Sequence, residues 1–458
     1  MKPSHHIFRQ YDIRGILGVD LDSEVAHLVG QAYGSALRDQ HAPSAQVTVA
    51  VGQDNRPSSP ELADAVAQGL QAAGVSVISL GTVPTGTAYW AETALDTQGV
   101  MQITGSHNPP EWNGIKMTMG KRALYGDDIQ DLLARIESNR MTRSGGGARE
   151  DIPVLARYQE DVLRRFSLPR KVKVVVDCGN GTASVVAVSL LESLGAEVIP
   201  LYCESDGTFP NHHPDPTVDE NLEELMEVVR REGAEVGIAF DGDGDRIGAV
   251  DHEGTVVRGD VLLLLFGLDI LKRDGEGQLL VFDVKCSQAL PEAFEAAGGK
   301  TIMWKTGHSL IKEKMKETGA PIAGELSGHI CFADDYLGID DAIYAACRLV
   351  DLLARDSRSL KEMAAELPQY VSTPELRIEV AEELKVSLVE KAVAHFRDRY
   401  PVMDVDGVRI LFGDGWGLLR SSNTQPVVVA RFEARTPEAL ERIRGEVEGW
   451  LREQGVDV

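Results

Sequence analysis

The sequence has few of the features that mark membrane or secreted proteins. Its longest apolar run, Val261 to Leu271, is about half the ~20 residues that a membrane-spanning helix needs, and it contains Asp269. The N-terminus, Met1-Lys2-Pro3-Ser4, has no apolar signal core. We therefore expect a cytoplasmic protein with no membrane partner.

Cysteine is scarce and positive charge is in deficit. The 5 cysteines are scattered without a CxxC pair, so a disulfide framework and a zinc site are both disfavoured and we expect reduced thiols. With 46 Lys and Arg against 71 Asp and Glu, the formal net charge is −25. The electric field of so negative a protein repels the phosphate backbone of nucleic acids, so nucleic acid is not an expected partner. A small phosphorylated ligand would need local cationic groups.

The chain contains an internal repeat. Its 458 residues suggest three or four domains. Apolar, β-branched strands alternate with helical stretches in a pattern that occurs three times, which predicts βαβ crossovers and largely parallel sheets. The predicted first strands are Val47–Val51, Val172–Asp177 and Leu279–Val284; the second are Val75–Leu80, Glu197–Leu201 and Thr301–Trp304; the third are Val100–Thr104, Val236–Phe240 and Pro321–Gly324.

The C-terminal stretch has a different pattern. From about residue 370 it predicts strands and two helices, typical of a small α+β domain. The glycine-rich segment Thr142–Ala148 has the composition of a flexible linker. We predict three α/β domains over residues 1–148, 149–256 and 257–369, and an α+β domain over 370–458.

A glycine-rich polar loop follows the third strand of each repeat. The loops are Thr104-Gly-Ser-His-Asn-Pro109, Asp241-Gly-Asp-Gly-Asp-Arg246 and Gly324-Glu-Leu-Ser-Gly-His329. Ligands of α/β sheets gather beyond the carboxyl ends of the strands. The three loops could therefore face one cleft.

The first loop presents Ser106 at its tip, before a strand that carries Lys116. The loop alone allows a serine displayed for chemistry, an ordinary polar turn, or an esterase nucleophile elbow. The elbow is disfavoured because Thr104 and Asn108 stand where it requires glycine.

The second loop alternates Asp241, Asp243 and Asp245 with glycine, which lets three carboxylates converge on a hard divalent cation such as Mg²⁺. An EF-hand is excluded, because its sixth position is Arg246 and its twelfth is His252. The alternative is a solvated acidic turn, in which three close negative charges would repel one another.

Two further segments carry polar groups suited to a phosphorylated sugar. Glu325, Ser327 and His329 supply an acceptor, a hydroxyl and a titratable ring, although a plain polar hairpin end is the alternative. The run Arg420-Ser-Ser-Asn-Thr424 offers a guanidinium and further donors to an oxyanion, or forms a capped turn before Pro426.

Together these four loops resemble those of the α-D-phosphohexomutase superfamily, most nearly its bacterial phosphomannomutase/phosphoglucomutase members. The motifs occur in the same order and span the whole chain. The resemblance implies four domains around a central cleft, the last with a TATA-box-binding-protein-like fold. It also implies reversible conversion of hexose 1-phosphate and hexose 6-phosphate, of mannose or glucose, through a phosphoserine and a 1,6-bisphosphate.

The same resemblance implies roles for individual residues. Ser106 would be the phosphoserine and would hold Mg²⁺ with Asp241, Asp243 and Asp245. His107, Lys116, Arg246 and His329 would stabilise charge and handle protons. The residues expected to bind substrate are Tyr11, Arg14, Lys285, His308, Glu325, Ser327, His329, Arg420, Ser422, Asn423 and Thr424. Glucose 1,6-bisphosphate would be the activator, hexose phosphates the only partners, and the protein a monomer.

Three other functions remain open at this stage. A phosphoglucosamine or N-acetylglucosamine-phosphate mutase would share all four motifs. A Mg²⁺-dependent phosphatase would use the carboxylates, but the chain lacks an aspartate nucleophile of the DxDx[TV] kind and Ser106 would be unexplained. A non-catalytic sugar-phosphate sensor is disfavoured by the intact Ser106, Lys116 and aspartates.

Overall fold

A computed structural model of the chain describes residues 3–422 and 427–458. Within these ranges the strands form four sheets, which follow one another along the sequence. We refer to the unit built around each sheet as domains I to IV. No helix in the described ranges is both long and apolar enough to cross a membrane.

Domain I contains a seven-stranded sheet in the order β1-β5-β4-β2-β3-β7, with β6 paired to β5. Its strands are β1 (Ile13–Ile16), β2 (Thr48–Gln53), β3 (Ser76–Thr82), β4 (Gly99–Ile103), β5 (Trp112–Met119), β6 (Arg122–Ala123) and β7 (Arg149–Asp151), and its helices are α1 (Ser23–Asp39), α2 (Ser59–Ala72), α3 (Thr85–Ala94) and α4 (Asp127–Glu137). Asp22 caps α1 by accepting from the Val25 N–H at 2.8 Å. Helices α1 and α2 touch at Gly69, where a Cβ would lie 2.1 Å from the His27 carbonyl oxygen.

Domain II contains a five-stranded sheet in the order β12-β11-β10-β8-β9. Its elements are α5 (Leu155–Leu163), β8 (Lys173–Asp177), α6 (Ala187–Leu194), β9 (Glu197–Leu201), α7 (Glu223–Glu232), β10 (Val236–Phe240), β11 (Ile247–Asp251) and β12 (Val256–Val257). The valines of β8 and all of β10 are buried, as expected for strands covered on both faces.

Domain III contains a four-stranded sheet in the order β14-β13-β15-β16. Its elements are α8 (Gly259–Asp274), β13 (Leu279–Asp283), α9 (Ala289–Ala296), β14 (Lys300–Trp304), α10 (His308–Thr318), β15 (Ile322–Gly324), β16 (Ile330–Phe332), α11 (Ala342–Arg355) and α12 (Leu360–Ala365). A continuous core cluster links domains I to III through residues such as Trp90, Tyr158 and Phe266.

Domain IV has a six-stranded sheet whose described pairs are all antiparallel, which confirms the predicted α+β character. Its elements are β17 (Val371–Ser372), β18 (Leu376–Glu379), α13 (Glu382–Arg397), β19 (Val402–Met403), β20 (Val408–Leu411), β21 (Gly415–Ser421), β22 (Val427–Ala434) and α14 (Pro437–Glu453). Its two helices pack on a separate core that includes Phe396, Phe432 and Val447.

The nine predicted strands of the repeat are confirmed, each within two residues at its ends. In every repeat the first strand pairs in parallel with the second and the third. The strand after the third is antiparallel to it, so each sheet is mixed and each polar loop is the turn of a hairpin. Since β7 joins the first sheet, that sheet extends beyond residue 148. The domain boundaries themselves stay predictions.

Candidate active site

Ser106 lies in the hairpin turn between β4 and β5, with 1% of its surface exposed. Its backbone has φ +49°, a left-handed conformation that is uncommon outside glycine and clusters at functional sites. The Ser106 N–H donates to Thr104 Oγ1 at 2.8 Å, and Ser106 Oγ donates to Asp241 Oδ2 at 3.0 Å. His107 Nδ1 is 3.1 Å from the same hydroxyl oxygen. The turn therefore places a serine hydroxyl between a carboxylate and an imidazole.

Asp241, Asp243 and Asp245 converge in the turn between β10 and β11. All three are fully buried, and one carboxylate oxygen of each lies within 4.8 Å of the others. Asp243 Oδ1 has no hydrogen-bond partner among the described residues, an expensive state for a buried carboxylate oxygen. Burial and the two neighbouring carboxylates raise the pKa of Asp241 well above its usual range. These oxygens fit a divalent cation, which would supply the missing positive charge.

Lys116, on β5, reaches across from domain I to this carboxylate cluster. Its Nζ donates to Asp243 Oδ2 at 2.8 Å and also to Asp245 Oδ2. Burial would lower the pKa of Lys116, but the carboxylates around it raise the pKa above its ordinary value. Lys116 therefore remains charged and partly neutralises the cluster.

The third hairpin turn joins the cluster through His329. Its Nε2 is 3.3 Å from Asp245 Oδ1 and its Nδ1 is 3.2 Å from Glu325 Oε2. Burial opposes the charged ring, but Asp245 and Glu325 outweigh it and raise the pKa of His329 to about 9. Burial likewise disfavours the Glu325 carboxylate, yet the hydrogen bond from His329 lowers the pKa of Glu325 to about 2. Ser327 Oγ is 3.1 Å from His329 Nδ1.

Two more predicted residues pack against this group. His308 stacks on His329 with ring centroids 5.4 Å apart, and burial together with Lys312 lowers the pKa of His308. Arg246 Nε lies 4.0 Å from Asp241 Oδ2 and 3.4 Å from His329 Nε2. The pair His308 and His329 thus combines a ring with a lowered pKa and a ring with a raised pKa.

A second cluster of predicted residues lies where domains I, III and IV meet. Lys285 Nζ is 3.3 Å from Glu375 Oε2, and Arg420 Nε is 3.1 Å from Asp406 Oδ2. Burial disfavours the charged form of Lys285, but the Glu375 and Asp283 carboxylates outweigh burial and the charge of Arg420, so the pKa of Lys285 is raised. The Tyr11 hydroxyl donates to the Thr306 carbonyl at 2.7 Å.

One backbone segment connects the two clusters. The Thr306 N–H donates to Asp406 Oδ2 at 3.1 Å, and the next residue, Gly307, donates its N–H to Glu325 Oε1 at 2.6 Å. Ser422 is buried nearby on the chain after β21. Arg14 is paired with Asp12 at 2.7 Å, in the N-terminal segment that also carries Tyr11. The predicted residues Asn423 and Thr424 lie outside the described residues.

Comparison with known proteins agrees with this geometry. Four family profiles match in succession: phosphoglucomutase/phosphomannomutase alpha/beta/alpha domain I over residues 5–143, domain II over 156–254, domain III over 258–371, and the C-terminal domain over 375–449. A protein of Pseudomonas aeruginosa named phosphomannomutase/phosphoglucomutase is 47% identical over 442 residues, which cover 96% of this chain and 94% of that protein.

This chain belongs to the phosphoglucomutase/phosphomannomutase family. Other relatives support the same assignment. The phosphoglucomutase of Neisseria gonorrhoeae is 42% identical over 445 residues, covering 96% of this chain and 95% of that protein. The crystal structure of a phosphoglucomutase/phosphomannomutase family protein from Burkholderia thailandensis superposes with a TM-score of 0.93 at 43% identity, covering 99% of both chains.

Arg56 holds the serine loop of this family member, and it was not predicted from the sequence. Arg56 precedes α2 and is 1% exposed. Its guanidinium donates to three carbonyl oxygens of the hairpin turn, those of Ser106 at 2.8 Å, Asn108 at 2.6 Å and Pro109 at 2.6 Å, and to that of Trp112, the first residue of β5, at 3.1 Å. Asp54 Oδ2 accepts from Arg56 Nε at 3.1 Å and from the Gly105 N–H at 3.0 Å.

Thr85, at the start of α3, is the second residue that escaped the sequence analysis. Its Oγ1 donates to Asp243 Oδ2 at 2.6 Å, and its N–H donates to the Asp243 carbonyl at 2.9 Å. A buried residue of domain I therefore orients a carboxylate of domain II. Their positions after strands could have indicated both residues. Arg56 follows β2 and Thr85 follows β3, at the same carboxyl edge of the sheet as Ser106.

Proposed function

We propose that the protein reversibly converts hexose 1-phosphate and hexose 6-phosphate, of mannose or glucose, through phospho-Ser106 and a hexose 1,6-bisphosphate. The observation that carries this proposal is the 3.0 Å contact between Ser106 Oγ and Asp241 Oδ2, which puts a serine hydroxyl on a buried triple-carboxylate cluster. Transfer of a phosphoryl group requires mainly positioning and neutralisation of charge. This cluster and its cations supply both.

In this proposal Asp241, Asp243 and Asp245, with the phosphate on Ser106, hold Mg²⁺. The buried oxygen Asp243 Oδ1, which has no hydrogen-bond partner among the described residues, supports a cation here, and three carboxylates suit a hard one. When bound, the ion would neutralise negative charge on the transferring phosphoryl group.

The surrounding side chains bind charge and move protons. Lys116 and Arg246 stabilise the negative charge that accompanies transfer. The Ser106 hydroxyl proton, which is directed at Asp241 Oδ2, turns to His107 Nδ1, 3.1 Å from the same oxygen, when the serine takes a phosphoryl group back. The lowered pKa of His308 suits a base, and the raised pKa of His329 suits an acid that protonates an alkoxide oxygen of the sugar.

The intermediate must turn around in the site, because its original phosphate has to face Ser106 before it can be removed. Glu325 and Ser327 would grip the O3 and O4 hydroxyls, which roughly exchange places when the sugar reverses. The O2 hydroxyl has no equivalent partner, so tolerance of both mannose and glucose follows. The distal phosphate would lie on Arg420, Ser422, Asn423 and Thr424, with Tyr11, Arg14, Lys285 and His308 lining the cleft.

We further propose that glucose 1,6-bisphosphate activates the enzyme by phosphorylating Ser106 whenever the phosphate has been lost. The protein would act as a cytoplasmic monomer on small hexose phosphates, without a nucleic-acid partner. Its net charge of −25 supports the last point, because it repels polyanions other than those held by local cations.

Phosphorylation of the serine can be tested without turnover. The purified protein is incubated with glucose 1,6-bisphosphate and Mg²⁺, and its intact mass and peptides are measured. We expect one added phosphoryl group, located on Ser106, and none in Ser106→Ala. A phosphate on another residue, or none in the wild type, would contradict the proposal.

A further inference from the structure

Two cysteines are in contact at the carboxyl edge of the second sheet. Cys178 follows β8 directly, Cys203 lies two residues after β9, and their sulfur atoms are 3.1 Å apart. A disulfide has an S–S distance of about 2.05 Å, so a relative shift of about 1 Å would join them. Neighbouring strands of a sheet are about 4.8 Å apart, within the Cα separation that a disulfide spans.

The backbone of Tyr202 brings the two sulfur atoms together. In the parallel pairing of β8 with β9, Asp177 lies opposite Leu201. If both strands simply continued, Cys178 would lie beside Tyr202, and the Cys203 side chain would point to the opposite face. Tyr202 instead has φ +49°, which breaks this alternation. The Tyr202 carbonyl accepts from the Asn180 N–H at 2.8 Å. This hydrogen bond holds the segment after β9 against the segment that follows Cys178.

The two thiols are not equivalent. Cys178 is fully buried, whereas Cys203 is half-buried and can meet a small molecule from solvent. The hydrogen bond between them lowers the pKa of Cys203 and raises the pKa of Cys178. The thiolate is the nucleophilic form of cysteine, so Cys203 is the residue that reacts first.

We propose that Cys178 and Cys203 form a redox pair that a hydroperoxide converts to a reversible disulfide. With hydrogen peroxide, the Cys203 thiol first releases its proton, the thiolate attacks one peroxide oxygen and the O–O bond breaks. The leaving hydroxide takes up the released proton, so the products are a sulfenic acid on Cys203 and one water. The Cys178 sulfur then attacks the Cys203 sulfur, the S–O bond breaks, and hydroxide leaves with the Cys178 proton as a second water. Two thiols lose two electrons in total, and hydrogen peroxide gains them to become two waters.

The pair is connected to the carboxylate cluster through a short backbone segment. Four residues beyond Cys178, Thr182 donates its N–H and its Oγ1 to the Gly242 carbonyl, at 2.9 and 3.0 Å. A Cβ on Gly181 would lie 2.9 Å from the same carbonyl oxygen, so the backbone at Gly181 is packed closely against the Gly242 carbonyl. Gly242 lies between Asp241 and Asp243. Movement of Cys178 on disulfide formation therefore shifts two carboxylates, and this coupling rests on the proposed metal site.

Peptide mapping tests the disulfide without metal or substrate. The full-length protein is treated with hydrogen peroxide, alkylated under denaturing conditions, digested without reductant and analysed by mass spectrometry. We expect one linked pair, Cys178 with Cys203, which dithiothreitol separates. If all five cysteines are still free to be alkylated after the peroxide treatment, or if a disulfide links two other cysteines, the proposal is overturned.

Variants separate the two steps. In Cys178→Ser the sulfenic acid on Cys203 should persist and react with dimedone, whereas Cys203→Ser should give neither a link nor a dimedone adduct. Cys347→Ala, a buried cysteine on α11, is the control and should keep the link. A dimedone adduct mainly on Cys178 would show that Cys178, and not Cys203, reacts first with peroxide, and this result would overturn the proposal.

Calorimetry with Mg²⁺ alone tests the coupling. We expect the oxidised protein to bind Mg²⁺ about 10-fold more weakly than the reduced protein, with recovery after dithiothreitol. The same peroxide treatment should leave the affinity of Cys203→Ser unchanged. Equal affinity of the oxidised and reduced forms would overturn the coupling, and absence of binding by the reduced protein would instead count against the proposed metal site.

Discussion

Ser106 Oγ donates a 3.0 Å hydrogen bond to Asp241 Oδ2, although the two residues are 135 positions apart and lie in turns of different sheets. Each residue lies in the hairpin turn after the third strand of its own repeat, β4 for Ser106 and β10 for Asp241. The three repeats thus direct their equivalent loops, those after the third strand, toward a single carboxylate cluster. As a result Ser106, the three aspartates and His329 come from three domains.

Arg56 is expected to set the position of the serine loop. Arg56→Lys keeps the charge but loses the planar fork that contacts four carbonyl oxygens. We predict that kcat falls about 10- to 100-fold while KM changes less than about twofold, because the nucleophile is misplaced and the substrate contacts are intact. Steady-state kinetics measures both. Arg231→Lys, at an exposed position on α7, is the control, and an unchanged kcat in Arg56→Lys would refute the role.

Thr85 is expected to tune metal binding. Thr85→Val removes the hydroxyl that holds Asp243 Oδ2 and keeps the side-chain volume nearly constant. We predict Mg²⁺ affinity about 10- to 100-fold lower by calorimetry, the usual effect of losing a partner that orients a ligand. Thr85→Ser retains the hydroxyl and should bind Mg²⁺ much as the wild type does. Equal affinities of Thr85→Val and wild type would show that this hydrogen bond is dispensable.

Glu325 is expected to act on both sugars alike. Glu325→Gln removes a charged acceptor for the hydroxyls that exchange places on reversal, so kcat/KM should fall about 10- to 100-fold for mannose 1-phosphate and glucose 1-phosphate. The two losses should agree within about threefold in parallel coupled assays. A loss confined to one sugar would mean that Glu325 reads the O2 hydroxyl instead. Glu317→Gln, with an exposed side chain, serves as the control.

His329 is expected to stabilise the metal-free fold in a pH-dependent way. Its pKa is raised to about 9, so its stabilising effect is complete below the unfolded-state pKa of about 6.5 and is lost as pH rises through about 9. Urea unfolding in chelator-treated buffer should show His329→Gln less stable than wild type at about pH 6. This difference should shrink by on the order of 2–3 kcal/mol at about pH 9.5. A difference independent of pH would contradict a raised pKa.

The repeat made most of the fold predictable from sequence. Alternation of apolar strands with helical stretches gave the nine strands, and the rule that ligands bind beyond carboxyl ends gave the convergence of the Ser106, Asp241 and Glu325 loops. The contacts of Ser106 with Asp241 and of His329 with Asp245 join those loops and confirm that convergence. The individual roles of the site residues, including Asn423 and Thr424, stay predictions.

Some features have no local pattern in the sequence. Arg56 and Thr85 act on partners in other loops, and neither residue type marks a motif at its position. The contact between Cys178 and Cys203 depends on the left-handed backbone of Tyr202, which no propensity favours for tyrosine. Tertiary packing decides such conformations, so they are seen only in the folded structure.

Phosphorus NMR tests most directly whether Ser106 transfers phosphoryl groups within hexose phosphates. Mannose 1-phosphate and glucose 1-phosphate are each mixed with Mg²⁺, a trace of glucose 1,6-bisphosphate, and either wild type or Ser106→Ala. We predict conversion of both sugars to their 6-phosphates by the wild type alone. Release of inorganic phosphate without 6-phosphate, or undiminished conversion by Ser106→Ala, would contradict it.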